Sequence, residues 1–422
     1  MKLIRLMIAA TLTITLLAVF ALPAFAAPAT ETLNVYNWGV YMDLGNEDGE
    51  VDVNAAFEAW YKEKFGVTIE VNYTTYDTNE TMYQKVVAGG APYDIVIPSD
   101  YMISRMIKEN LLLELDFSNI PNYQTEISDE FKGDAWQYDP EHKYTVPYMW
   151  GYVGIVYNRN HVPEKEYNYD LLWDKTYAGK ILMMNNPRDT FAIALAKNGY
   201  SLNTTEPSHW EKAYEDLKAQ KPLVQSYVTD EIFDKMQSGE AYVSPCYYGD
   251  YLVMRDAQAE DVDLAFSPIV GQTTNKYVDC MCVPVTAQNK TAAERYMDFM
   301  CTYEMGVANA NYTGYSSPLN SVKNNKGDLE YYYEDDEYLY PTAETLAQYE
   351  EFLYLDKTTQ TRMDNQWKNL KSSELGPWPY VISIGVIVGA SAAFVVHKEK
   401  EKRAEILRQK AREKYAKLHP FQ

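Results

Sequence analysis

A chain of 422 residues with a formal net charge of -22 is long enough for two lobes and too acidic to favour nucleic acid or anionic lipid. The same charge favours cationic ligands. Four cysteines without a CxxC spacing, and only five histidines, argue against a zinc site.

Residues 1–26 read as an export signal. Lys2 and Arg5 give a positive start, Leu6 to Leu22 an apolar stretch, and Ala24-Phe25-Ala26 a small-x-small cleavage site. Thr32 to Trp38 then predicts a strand. Val53, Phe57, Trp60 and Tyr61 recur at helical spacing, and the run stops at Gly66. Val67, Ile69, Val71 and Tyr73 alternate with strand period. Asp77-x-x-Glu80 predicts a capping box opening a helix that ends at Gly89-Gly90. Tyr93 to Ile97 predicts a strand, and a helix follows Pro98-Ser99-Asp100. This alternation predicts an α/β fold with a mostly parallel sheet and helices on both faces. Ligands in such folds bind beyond the carboxyl ends of the strands, which places Trp38, Tyr41, Ser99 and Tyr101 near any site.

The second half repeats the style. Val153 to Tyr157, Ile181 to Met184, Tyr242 to Tyr248 and Tyr277 to Pro284 predict strands, and Gly249-Asp250 opens a helix. Asp279 sits inside an otherwise apolar strand and needs a partner. Cys280 and Cys282 point to the same side of that strand and should not bond to each other. Ala292 to Ala308 and Ala343 to Phe352 predict helices, and the acidic, Tyr-rich residues 323–339 a surface excursion.

Near the C-terminus, Tyr380 to Val396 carries no charge over a length close to the minimum for crossing a bilayer, which predicts a transmembrane helix over residues 379–396. Residues 397–422 then form a basic cytoplasmic tail, by the excess of Lys and Arg on the inner side. The expected location is the outer face of the cytoplasmic membrane, in a periplasmic space or at the cell surface. No GxSxG, HExxH, Walker loop or GxGxxG occurs, so no enzyme activity and no cofactor is expected.

An ordered set of short segments carries a resemblance. Asn37-Trp38-x-x-Tyr41, Asn79-Glu80-Thr81-Met82-Tyr83, Tyr93-Asp94-Ile-Val-Ile-Pro98-Ser99-x-Tyr101 and Val146-Pro147-Tyr148-x-Trp150-Gly151 come first. Asp189, Ser238-Gly239-Glu240, Tyr277-Val278-Asp279, Gly314-Tyr315 and Tyr340-Pro341-x-Ala343-Glu344 follow. Together they resemble the spermidine/putrescine-binding proteins of bacterial polyamine ABC importers. The resemblance spans about residues 31–372.

It implies a two-lobed periplasmic-binding-protein fold of type II, here followed by the C-terminal transmembrane helix. The first lobe would comprise residues 31–149 and 280–325, and the second lobe residues 150–279 and 326–372. Aromatic walls would be Trp38, Tyr41, Tyr101, Tyr247, Tyr277 and Tyr315. Acids facing ammonium groups would be Asp189, Asp250 and Asp279, with hydroxyl contacts from Ser99 and Ser226. The implied partners are a polyamine and the permease subunits of an ABC transporter, with the membrane reached through the C-terminal helix.

Departures from the family pattern matter. Asn186 stands where the spermidine-preferring version has an acid, while Asp250 matches an acid of the putrescine-preferring version. This tilts the expectation toward putrescine, or putrescine with spermidine. No cysteine precedes Cys246, so the N-terminal lipid anchor of Gram-positive members is missing, and the C-terminal helix is expected to replace it. Two other readings remain open. A ferric-ion receptor of the same fold would use adjacent tyrosines such as Tyr247-Tyr248. A membrane-anchored sensor would signal through the tail.

Overall fold

The structure, a computed structural model, describes residues 30–46, 50–132, 136–332 and 337–372. The chain falls into two compact units, Met1–Asp364 and Asn365–Gln422. The first holds the sheet and the cleft. Of the second, residues 365–372 are described, and they are helical to Lys371.

Strand β1 (Glu31–Trp38) lies between two parallel partners, β2 (Ile69–Tyr76) and β3 (Ile95–Val96). The helix Val53–Phe65 connects the first pair. Asp52 caps its start by accepting from the Ala55 N–H, and Gly66 ends it in the left-handed region at φ 71°. The helix Asn79–Ala88 follows, ended by left-handed Gly89, and the helix Asp100–Lys108 starts directly after β3. These stops and starts put Trp38, Ser99 and Tyr101 at one edge of the sheet, as expected for strand ends.

The second half mirrors this. β5 (Ile181–Met184) lies parallel between β6 (Val224–Val228) and β7 (Val243–Tyr247). Two strands join the halves. β4 (Thr145–Asn158) has 14 residues and is buried throughout. Its first half pairs antiparallel with β9 (Lys276–Cys282), and its second half lies between β7 and β8 (Leu264–Ser267). β9 in turn pairs with β3. Among the described residues this makes a nine-stranded sheet in the order β2-β1-β3-β9-β4-β7-β5-β6, with β8 beside β4. The fold is thus two α/β lobes joined by antiparallel strands. The triplets β2-β1-β3 and β6-β5-β7 are parallel as the alternation predicted, but the antiparallel β4, β8 and β9 make the whole sheet mixed.

Several expectations need correction. The helix Asn79–Ala88 is capped by Thr78, whose hydroxyl accepts from the Thr81 N–H, and not by Asp77. The expected helix Ala292–Ala308 is two helices, Lys290–Met300 and Tyr303–Thr313, because Thr302 is extended. Ala343 begins only one helical turn, to Leu346. Apart from these corrections, the four cysteines, whose pairing the sequence left open, are buried and free.

The expected C-terminal transmembrane helix finds no support in the described residues. Among the described residues no helix is long and apolar enough to cross a membrane. The longest, Lys357–Lys371, has 15 residues of mostly polar sequence. At 1.5 Å per residue that spans about 22 Å, short of the ~30 Å hydrocarbon core. The segment Tyr380–Val396, the basic tail and the export signal all lie outside the described residues.

Candidate functional site

A cleft of about 1090 Å³, part of it open to solvent, is walled by both halves of the sheet. Trp38 and Tyr41 enter from the end of β1 and the turn after it. Ser99 and Tyr101 enter from the start of the helix Asp100–Lys108, and Asp189 from the first turn of the helix Pro187–Lys197. Tyr247 and Asp250 enter from the end of β7 and the helix Tyr248–Asp256. Tyr277 and Asp279 lie on β9, and Tyr315 follows Gly314.

Three carboxylates in the cleft each accept a hydrogen bond from a different tyrosine. The Tyr41 hydroxyl donates to Asp279 Oδ2 at 2.7 Å, that of Tyr315 to Asp250 Oδ1 at 2.6 Å, and that of Tyr247 to Asp189 Oδ2 at 3.2 Å. The rings pack edge to face in a chain. Tyr247 meets Tyr277 at 5.1 Å between centroids, Tyr277 meets Tyr315 at 6.2 Å, and Tyr315 meets Tyr41 at 5.2 Å. Such contacts present ring faces and hold the hydroxyls in place.

Two glycines make the chain possible. A Cβ on Gly249 would lie 2.3 Å from the Tyr315 ring, and one on Gly151 would lie 2.8 Å from the Tyr277 hydroxyl. Across the cleft, Asn79 bonds both Ser99 and Tyr101, and the Tyr101 hydroxyl donates to Glu80. Trp38 is fixed by its indole N–H on the Ile97 carbonyl at 2.9 Å.

Burial sets the electrostatics. It pushes Asp279 up to about 6, against the Tyr41 hydrogen bond and the neighbouring Ser99. It pushes Asp189 up to about 7, against Tyr247 and Arg188, and Asp250 up to about 7, against Tyr315. Asp279 and Asp189 are each 5 % exposed, whereas Asp250 keeps more of its surface in water. The second oxygen of Asp279 is buried without a hydrogen-bond partner, although Ser99 lies beside that carboxylate. Behind the site, burial pulls Arg188 down to about 10 while its guanidinium donates to Leu202 O and Asn203 Oδ1. Among the described residues, the cleft wall therefore offers aromatic faces and carboxylates but no cation. Its chemistry is that of a receptor for an amphipathic cation. Among the described residues no group of three or more His, Cys, Asp or Glu could hold a metal ion.

The profile of a family described as bacterial extracellular solute-binding protein matches residues 55–337. The spermidine/putrescine-binding periplasmic protein of Escherichia coli K12 is 31 % identical over 323 residues, covering 76 % of this chain and 86 % of that protein. The chain belongs to the spermidine/putrescine-binding family of bacterial extracellular solute-binding proteins. A putrescine/cadaverine-binding protein of Pseudomonas aeruginosa is 27 % identical, covering 83 % of this chain and 92 % of that one. Among solved structures, the spermidine/putrescine ABC transporter substrate-binding protein of Streptococcus pneumoniae superposes with a TM-score of 0.64. It is 30 % identical and covers 81 % of this chain and 99 % of that one. The Escherichia coli relative is a periplasmic protein, the Streptococcus pneumoniae one the substrate-binding protein of an ABC transporter, and the family is one of extracellular solute-binding proteins.

Within this solute-binding family member, ten of the eleven residues singled out by resemblance line the cleft. Ser226 does not: it sits on β6, outside the cleft wall. Residues not singled out also line it, notably Asn79, Asn186, Asp230 and Phe352. Asn79 lies in a family motif and Asn186 among the departures from it, so the signal was present. Phe352 marks the neighbourhood where the family carries a Gln that this chain lacks, and it packs on Tyr101 and Arg188. Asp230 carried no signal.

Proposed function

We propose that this chain is an extracellular receptor for a polyamine, putrescine or spermidine or both, and hands it to the permease of an ABC transporter. One observation carries the reading. Three cleft carboxylates, each held by a tyrosine hydroxyl, stand among aromatic rings with no cation among the described lining residues to neutralise them. A polyamine supplies what is missing. Its ammonium groups neutralise the carboxylates, and its methylene segments lie on the rings.

Each ring contact with a cation is worth ~0.5–2 kcal/mol. An ion pair at 4 Å is worth about 4 kcal/mol at an effective dielectric near 20, before desolvation takes much of it back. The rings therefore carry much of the affinity, and the carboxylates select charged ligands.

Trp38, Tyr41, Tyr101, Tyr247, Tyr277 and Tyr315 are the proposed walls, Asp189, Asp250 and Asp279 the proposed counter-charges, and Ser99 a hydroxyl contact. Because β4 and β9 join the two lobes, a ligand touching both walls stabilises the closed arrangement by its differential contacts. The receptor acts outside the cytoplasm, reached through the N-terminal signal.

The ferric-ion reading loses its basis in the geometry. Tyr247 lines the cleft, but Tyr248 stacks on Tyr152 at 6.0 Å and is not part of the cleft wall. Calorimetric titration of the purified protein, stripped of carried ligand by unfolding and refolding, tests the proposal. Putrescine, spermidine, spermine and arginine are added in turn. One-to-one binding of a polyamine is expected. No heat from any polyamine overturns it.

A further inference from the structure

Val40 is a β-branched residue at φ 48°, in the left-handed region where such side chains are strained. It is 56 % exposed, so packing of its own side chain does not hold it there. It lines the cleft itself, between Trp38 and Tyr41. Strain of this kind persists only where the surroundings over-determine it.

Two hydrogen bonds do so. The Gly39 N–H donates to the Tyr76 carbonyl at 3.3 Å, and the Tyr148 hydroxyl donates to the Tyr41 carbonyl at 2.7 Å. The Tyr148 and Tyr41 rings also meet edge to face at 5.5 Å. Tyr148 is itself an irregular residue. Along the β4–β9 ladder Pro147 pairs with Cys280 and Met149 with Asp279, leaving Tyr148 as an extra residue in β4. A bulge re-aims a side chain, and this one lies beside Asp279. The path closes on itself: Asp279 pairs in the ladder next to Tyr148, Tyr148 holds Tyr41, and the Tyr41 hydroxyl donates back to Asp279.

We propose that Tyr148 is a positioning residue for the cleft. Its hydroxyl clamps the Gly39-Val40-Tyr41 turn so that the Tyr41 hydroxyl meets Asp279. This rests on the polyamine reading of the cleft, and titration of the wild-type protein tests that reading separately. Tyr148 lies outside the cleft wall and acts through Tyr41.

The test is a double-mutant cycle with a rescue, read by titration of putrescine and spermidine. Tyr148→Phe removes one hydroxyl and is expected to weaken binding about tenfold. Combined with Tyr41→Phe it is expected to add little to the loss from Tyr41→Phe alone, because both break the same path. Val40→Gly accepts the left-handed conformation without strain, so in the Tyr148→Phe background it is expected to recover part of the affinity. Unchanged affinity in Tyr148→Phe overturns the proposal, as does a loss that adds in full to that of Tyr41→Phe. So does a failure of Val40→Gly to recover any affinity. If Tyr148→Phe alone does not fold, the pair with Val40→Gly must fold; a pair that also fails makes Tyr148 a core residue only.

Discussion

The Tyr41 hydroxyl and the Asp279 carboxylate, 238 residues apart, meet at 2.7 Å in the cleft. That bond satisfies one oxygen of Asp279 and leaves the other buried and unpartnered. A buried carboxylate in this condition opposes folding and awaits a cation. Asp279→Asn keeps the shape and removes the charge. It is expected to lower polyamine affinity by about 3 kcal/mol or more, roughly a hundredfold. It is also expected to raise the stability of the ligand-free protein by ~1 kcal/mol or more, since a neutral group costs less to bury. Titration and thermal melting measure the two. A variant that loses binding and stability together points to a structural role for Asp279 instead.

The raised carboxylates give binding a pH dependence with a definite sign. Asp279 near 6, and Asp189 and Asp250 near 7, are partly protonated at neutral pH in the empty cleft. An ammonium group favours the ionised form, so binding releases protons and affinity rises with pH through the 6–7 window. Below about pH 6 it should fall by up to tenfold per pH unit for each carboxylate involved. The empty protein behaves oppositely. Folded pKa values above the unfolded value of about 4 mean that the native state holds more protons, so stability falls as pH rises from ~4 to ~7. Titrations from pH 5 to 8 in buffers of different ionisation enthalpy count the released protons. An affinity flat across that range contradicts the electrostatic account.

Gly249→Ala offers a test of the aromatic chain. In a helix such a change ordinarily stabilises by ~0.5–1 kcal/mol. Here the new methyl group meets the Tyr315 ring, whose hydroxyl holds Asp250. The expected result is destabilisation of about 1–3 kcal/mol together with weaker polyamine binding. Chemical denaturation and titration measure these. Greater stability with unchanged affinity in the Gly249→Ala variant means that Tyr315 does not need that space.

Features encoded locally were readable in the sequence. Gly66 and Gly89 stop helices where the pattern said, because a left-handed cap needs glycine. Ile181–Met184 is a strand at its expected bounds, since an apolar run this short between turns leaves little choice. What depended on distant pairing was not readable. β4 belongs to both lobes because partners far along the chain line its two halves, and its burial is uniform along both. The same holds in the cleft. Acids and rings in short segments could be picked out, but Tyr148 and Phe352 act through contacts that only the folded chain creates.

Ser226 separates resemblance from geometry. By resemblance its hydroxyl contacts the ligand, yet it lies on β6 outside the cleft wall. Its Oγ is buried without a hydrogen-bond partner, so removing it costs no bond and relieves an unsatisfied polar atom. Ser226→Ala is therefore expected to leave polyamine affinity unchanged and to stabilise the protein by up to ~1 kcal/mol. Trp38→Ala is the matched contrast. Its indole is anchored on Ile97 and its ring lines the cleft, so its loss is expected to weaken binding by about 1–2 kcal/mol. Titration of both variants against the same polyamine decides between the two pictures. A large loss from Ser226→Ala means that β6 turns its hydroxyl toward the ligand on closure, and that the cleft wall extends to that strand in the bound protein.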